Sequence, residues 1–243
     1  NTVIKGVQDD GAWAKYLRIP AANVRLFSKG EIPPEIISFM DALGNATHTV
    51  MSAPVKGRNV AVLGCGVQGL MAVAVAKHAG AKRIFVTDAS HAEDTHEKIV
   101  SRRFALAKTY GADYCFDVAL EDERRELFET VNRETDNTGV DAAYEMSGSY
   151  KAYNDAARIV RMGGTFSLLG IPVGTLQVDF AKNIIFSGIT VHGIIGRRVF
   201  ETWDQMERLL KAGLAKQFMK TGFVTHQLPL ERYEEAFAAI RSG

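Results

Sequence analysis

The stretch Asn59-Val-Ala-Val-Leu-Gly64-Cys-Gly66-Val-Gln-Gly69-Leu-Met-Ala-Val-Ala-Val-Ala-Lys77 reads as a buried strand, a glycine turn and the opening of an apolar helix. Each glycine answers a separate physical need. Gly64 permits the tight turn, Gly66 lets the backbone approach a pyrophosphate with no Cβ in the way, and Gly69 lets the helix press against the strand. Val67 and Gln68 stand where the first helical amides lack intrahelical partners and carry the positive end of the macrodipole. Two phosphates are stabilised there with little need for a cationic side chain.

A glycine triplet alone is a weak signal, because such turns also serve purely structural roles. Here the context adds weight. A second β-rich run, Arg83-Ile-Phe-Val-Thr-Asp88, ends in an acid 19 residues after Gly69. Asp88 is the candidate ribose reader. Its carboxylate can accept from the 2′ and 3′ hydroxyls and repels the extra phosphate of NADP, so NAD is the expected cofactor.

Working outward, strands and helices alternate from Asn59 to about Gly193, the pattern of a parallel sheet covered on both faces. Strands are predicted at Asn59–Leu63, Arg83–Thr87, Tyr114–Val118, Val140–Glu145, Thr165–Leu169 and Thr190–Gly193. Helices are predicted at 68–78, 101–110, 121–133 and 150–160, with Gly111 and Gly163-Gly164 at C-cap positions. The expected class is α/β, a doubly wound six-stranded parallel sheet of Rossmann type. Gly11 to Pro20 alternates like a half-buried strand, and Ile32-Pro33-Pro34 opens a short helix. The tail reads as two amphipathic helices, Val199 to Gly213 and Leu230 to Arg241, with a short strand at Thr225 to Leu228 between them.

The bulk composition excludes several classes. A chain of 243 residues with 47% hydrophobic and 23% charged residues and a formal net charge of +1 is too nearly neutral to point to nucleic acid. Its apolar stretches are interrupted well short of a spanning length and no signal peptide pattern is visible, so no membrane role is expected. Cys65 and Cys115 form neither a disulfide framework nor a CxxC pair. They read as small buried fillers in a protein of the reducing cytoplasm.

Taken together, Gly11-Ala-Trp-Ala-Lys-Tyr16, Asp41-Ala-Leu-Gly-Asn-Ala-Thr-His-Thr49, Val75-Ala-Lys-His-Ala-Gly80, Glu145-Met-Ser-Gly148, Leu168-Leu-Gly-Ile-Pro172, Gly193-Ile-Ile-Gly-Arg197 and Phe200-Glu-Thr-Trp203 carry a resemblance. Over nearly its whole length the chain resembles the medium-chain zinc-dependent alcohol dehydrogenase superfamily, and within it the L-threonine 3-dehydrogenase family. The resemblance implies a usually tetrameric enzyme that uses NAD and zinc to oxidise a secondary alcohol, here the 3-hydroxyl of L-threonine, to 2-amino-3-oxobutanoate. A polyol dehydrogenase of the same superfamily and a nucleotide-binding module without chemistry are the competing readings. The implied domains are 1–44, the end of a GroES-like β-rich catalytic domain, 45–197, the NAD-binding domain, and 198–243, helices returning to the catalytic domain.

Carried over by position, the resemblance places Asp41 beside the catalytic zinc, as ligand or supporting acid; the residue reads equally well as a helix N-cap. It places Asn45 near the nicotinamide, with His48 one helical turn further on as a site residue or polar packing. Leu169, Gly170 and Ile171 follow the fifth strand and Ile194 and Ile195 the sixth, where backbone groups would fix the carboxamide. Arg197 is a candidate cation for a substrate carboxylate, or a surface residue paired with Glu201. Arg103 matches an arginine beside the adenosine ribose.

Two departures stand out. The family's remaining zinc ligands are expected upstream of residue 1, so the chain is expected to be the retained part of a longer enzyme. The stretch between Asp88 and Arg103 is much longer than in the family. Its His91, Asp94 and His96 match no regular metal spacing, and it is read as a solvated loop.

Overall fold

The computed structural model describes residues 5–92 and 95–242. Two compact units result, Asn1–Ile32 and Pro33–Gly243. Among its described residues the first is irregular apart from a 3-10 turn at Ala21–Asn23 and a bridge between Lys5 and Asp9. The strand predicted over Gly11 to Pro20 does not form, and Trp13 and Tyr16 are exposed. An alternating segment becomes a strand only when a neighbour takes its backbone groups, and among the described residues none pairs with it.

The second unit holds six parallel strands, β1 (Asn59–Leu63), β2 (Arg83–Asp88), β3 (Tyr114–Asp117), β4 (Val140–Glu145), β5 (Val160–Leu168) and β6 (Thr190–Gly193). Their order, β3-β2-β1-β4-β5-β6, is that of the doubly wound dinucleotide fold. Central β1 is bracketed on both sides, with Val62 opposite Val86 of β2 and Tyr144 of β4. Its Val60 to Leu63 are fully buried, which explains a continuous apolar run in place of alternation.

Helices α1 (Pro34–Ile37), α2 (Met40–Met51) and α3 (Val67–His78) follow in chain order. α1 begins at Pro34, whose fixed φ and missing N–H suit a first helical position. Every residue of α3 from Gly69 to Ala76 is buried, because α2 covers the side turned away from β1 and β2. A helix enclosed in this way has no use for a polar stripe, and its sequence has none. After β2, α4 (His96–Lys98) passes through a π-helical turn, Ile99–Phe104, into α5 (Ala105–Tyr110), which ends as expected on left-handed Gly111. α6 (Glu121–Glu134) and α7 (Tyr150–Ile159) complete the cover, followed by α8 (Glu201–Leu209), α9 (Ala215–Thr221) and α10 (Tyr233–Ser242).

Two further expectations are corrected. Gly163 and Gly164 do not cap a helix: α7 ends at Ile159, and the glycines sit inside β5, where the register with β4 jumps from Val140–Val160 to Ala142–Thr165. The inserted residues must curl, so Gly163 takes φ +68° and a Cβ on Gly164 would lie 2.9 Å from the Arg161 carbonyl. Thr225 to Leu228 form no strand. Ahead of that segment, α9 is held by an aromatic cluster in which Phe218 packs against Phe39, Tyr110 and Phe223.

Candidate nucleotide site

The glycine turn lies at the carboxyl end of β1, where the sheet order reverses direction between β1 and β4. Its three glycines meet three different surroundings. Gly64 has φ +101°, and an added Cβ would stand 2.7 Å from the Ser147 Cβ. A Cβ on Gly69 would stand 1.8 Å from the Gly64 carbonyl oxygen, so helix and turn touch there with no room for a methyl group. Gly66 has ordinary φ −71° and its added Cβ would meet nothing within 4 Å. The first two glycines answer to the protein itself, whereas the third leaves open space in front of α3. Leu70 N–H donates to the Gly66 carbonyl at 2.9 Å, so the amides of Val67, Gln68 and Gly69 precede the first intrahelical bond.

The turns following the neighbouring strands are laced to this one. Gly64 N–H donates to Thr87 O, Met146 N–H to Leu63 O, Leu169 N–H to Glu145 O and Ile194 N–H to Leu168 O. Glu145 is the junction missed by sequence reasoning. Its buried Oε1 accepts from the Ser147 amide at 2.7 Å, the Ser147 hydroxyl at 2.5 Å and the Gly148 amide at 2.9 Å. Burial pushes its carboxyl above the ordinary range, against those donors. Gly170 is confined beside it, since a Cβ there would lie 2.1 Å from the Gly148 nitrogen and 2.5 Å from Glu145 Oε2. The available signal was an acid ending an otherwise apolar strand.

A cleft of about 460 Å³ opens over these turns. It brings together Asn45, Gln68, Leu169, Gly170, Ile171, Ile194 and Ile195, all named from the sequence. His48 and Arg197 do not line it. His48 Nδ1 hydrogen-bonds the Gly196 carbonyl at 3.0 Å, tying α2 to the turn after β6. Arg197 lies over α2, where a Cβ on Gly44 would stand 2.8 Å from its Cδ, and its Nη1 pairs with Asp41 Oδ1. The expected alternatives for both residues of that pair are corrected. Arg198, not Arg197, faces Glu201 at 3.6 Å, and Phe39, not Asp41, is the N-cap of α2, with Asp41 in the first turn.

At the β2 end, Asp88 stands where a ribose reader belongs and is already engaged. Its Oδ2 accepts from Arg103 Nη1 at 2.8 Å and its Oδ1 from the Ala89 amide at 3.0 Å. Arg103 reaches it from the π-helical turn, whose carbonyl also accepts from Cys65 Sγ at 3.7 Å. The long stretch after Asp88 is anchored. Asp117, buried at the end of β3, accepts from the Ser90 and Ala119 amides and pairs with His96 Nδ1 at 3.0 Å, while His96 Nε2 faces Glu123 Oε1 at 3.5 Å. Burial raises the Asp117 carboxyl, but those donors outweigh it and hold the group below its ordinary value. Asp94 lies outside the described residues. Among those described, no group of three His, Cys, Asp or Glu is placed to hold a metal. Nor does any helix among them have the length and apolarity to cross a membrane.

A glycine turn of this geometry at the switch point of a 3-2-1-4-5-6 sheet defines a dinucleotide-binding fold. The family model described as zinc-binding dehydrogenase matches residues 68–212, and the chain belongs to that family. It is 38% identical over 244 residues to an L-threonine 3-dehydrogenase of Bacillus velezensis, and equally so to one of Pyrococcus abyssi. Each alignment takes in 100% of this chain and 65% of the relative, so the chain spans just under two thirds of their length. Among solved structures, alcohol dehydrogenase TADH from Thermus sp. ATN1 superposes with a TM-score of 0.72 at 25% identity, covering 96% of this chain and 63% of that one. An alcohol dehydrogenase of Thermotoga maritima shares the fold with a TM-score of 0.75 at 21% identity, covering 89% and 57%.

Proposed function

We propose that this chain is the nucleotide-binding part of an NAD-dependent dehydrogenase of secondary alcohols, with the 3-hydroxyl of L-threonine as substrate and 2-amino-3-oxobutanoate as product. The observation that carries the reading is the open space at Gly66 in front of the α3 N-terminus, following β1, the strand that the sheet order places between β2, which ends in Asp88, and β4 and then β5, whose following turn Leu169 to Ile171 lines the cleft. The likeness to relatives named L-threonine 3-dehydrogenase supports the substrate.

In this reading the amides of Val67, Gln68 and Gly69 hold the pyrophosphate at the helix N-terminus. Asp88 takes the ribose hydroxyls, steadied by Arg103. Backbone groups of Leu169 to Ile171 and of Ile194 and Ile195 orient the carboxamide, which fixes the ring face turned to the substrate. The bound nicotinamide supplies the hydride acceptor. Arg197 is the cation for a substrate carboxylate, exchanging Asp41 for it. His48 keeps α2, and with it Asn45, against the β6 turn.

The described residues do not make a zinc site by themselves, and Asp41 is committed to Arg197. Zinc, with Asp41 as one donor, therefore belongs to the proposal for the whole protein and carries no step here. The division into 1–44, 45–197 and 198–243 and the homotetramer rest on the resemblance, the cytoplasmic location on the cysteine reading, and all are proposed with it.

The test is turnover by the full-length protein with NAD against L-threonine, sorbitol and simple secondary alcohols, alongside its zinc content. A clear preference for L-threonine supports the reading. Equal or better turnover of sorbitol moves the substrate to the polyols. NADH binding with no turnover in zinc-loaded protein leaves a binding module.

A further inference from the structure

Resting on the nucleotide reading, we propose that His96 is a positioning residue for the ribose reader: as a protonated ring it clamps the long stretch after Asp88 to the end of the sheet, and so holds Arg103 on Asp88. The observation is a pair of neighbouring acids met by two cations from one helical run. Asp88 and Asp117 are register partners at the ends of β2 and β3, so their side chains leave the sheet on the same face. Arg103 Nη1 meets Asp88 Oδ2 at 2.8 Å, and His96 Nδ1 meets Asp117 Oδ2 at 3.0 Å. α4, which begins at His96, continues without a break into the π-helical turn that carries Arg103.

The surroundings of the ring call for the charged form. Nε2 faces Glu123 Oε1 at 3.5 Å, so both ring nitrogens are turned to carboxylate oxygens. A neutral imidazole has one N–H and would set a lone pair against one of the two acids; the cation supplies a donor to each. Both acids are held in place without the histidine. Asp117 is buried and accepts from the Ser90 and Ala119 amides, while Glu123 Oε2 accepts from the Asp117 amide at 2.6 Å. Asp117 of β3 and Glu123 of α6 are the charges that face the ring, and Glu97 and Lys98 beside it on α4 are exposed. When the proton leaves, one of the two contacts turns from attraction to repulsion, and the segment sets one positive charge fewer against the acids. Buried Ile99 and Phe104 keep the helical run in place, so the result is a loosening of α4 and of the arginine beyond it. Asp88 is then less firmly oriented, and a carboxylate that must be ordered on binding holds the ribose hydroxyls less tightly. The adenosine half of the site therefore binds best on the acid side of neutrality.

The experiment is calorimetric titration of the full-length protein with ADP-ribose, which probes the adenosine half alone, at about pH 6 and about pH 8.5, on either side of the range in which histidines titrate. Wild-type affinity is expected to be roughly two- to fivefold higher at the lower pH, the worth of a half-exposed ion pair. His96→Gln is expected to bind at both pH values as wild type does at the higher one. His96→Lys, charged throughout, is expected to bind at both as wild type does at the lower one. With Arg103→Met already in place, His96→Gln is expected to change nothing further, because its effect runs through the arginine. A wild-type pH dependence that His96→Gln keeps in full overturns the proposal, as does affinity that rises with pH. A loss in His96→Gln that persists with Arg103 replaced overturns it too. Wild type binding ADP-ribose at neither pH is a different failure, that of the nucleotide reading itself, and the proposal falls with it.

Discussion

Replacing Gly66 and Gly69 separately by Ala distinguishes a glycine kept for a ligand from one kept for the fold. In Gly69→Ala the new methyl group would lie 1.8 Å from the Gly64 oxygen and 2.9 Å from its carbonyl carbon, both rigid backbone. Relief requires α3 to move away from the turn, and α3 is enclosed by α2, β1 and β2. Overpacking of this kind costs about 1–3 kcal/mol or more. In Gly66→Ala the methyl group meets nothing within 4 Å and φ is −71°. Losing glycine at a helix N-cap costs about 0.5 kcal/mol, and the stiffer unfolded chain returns about as much, so stability should stay within roughly 0.5 kcal/mol of wild type. Its effect should appear in binding, because the methyl group occupies the space in front of the α3 amides. Urea unfolding and NADH titration on both variants give the answer. The expected result is a lowered urea midpoint for Gly69→Ala, and for Gly66→Ala an unchanged midpoint with NADH affinity reduced at least tenfold, about 1.4 kcal/mol. Normal NADH affinity in Gly66→Ala would refute the assignment of the open space to the pyrophosphate, and equal destabilisation of both variants would refute the packing argument.

Asp88→Ser should shift preference toward NADPH by roughly ten- to a hundredfold, since a charge at about 4 Å is worth a few kcal/mol near a protein surface and Arg103 then faces the 2′ position; adding Arg103→Met should remove most of the gain, and an NADPH-to-NADH affinity ratio unmoved by the single change shows that Asp88 does not read the ribose. Asp117 is held below the usual carboxylate value of 3.8, so its contribution to stability is present above that pH and lost as pH falls through the lower folded value. Asp117→Asn should therefore lower the urea midpoint at neutral pH and flatten its fall in acid; a gap to wild type that does not narrow below about pH 4 contradicts the assignment.

β1, β4 and β6 appear at the residues expected, β1 most legibly because it is a short apolar run. The inserted residues within β5 were not legible, because Gly163-Gly164 after a helix carries the same local signal as a C-cap and only the pairing with β4 shows otherwise. In the site, the nucleotide turn is local in sequence and could be read. The Arg197–Asp41 pair joins residues 156 positions apart, and an i, i+4 partner at Glu201 was the nearer choice. His96 was read as part of a solvated loop because its anchor, Asp117, becomes a neighbour only through the pairing of β2 with β3. In the sequence Glu145 stands only as a strand end and within the string Glu145-Met-Ser-Gly148, with no role given to it, because its importance comes from three donors converging on one oxygen.

The enclosure of α3 has a consequence for amide exchange with deuterated solvent. A helix buried from Gly69 to Ala76 cannot open without separating α2 from the sheet, so its interior amides should exchange only through opening of the whole unit, at the slow limit set by global stability. A nucleotide added to such a helix has little protection left to confer on it. The imprint of binding belongs on the few amides ahead of the first intrahelical bond, from Cys65 to Gly69, and a slowing confined to those peptides would outline the ligand's footprint on the backbone.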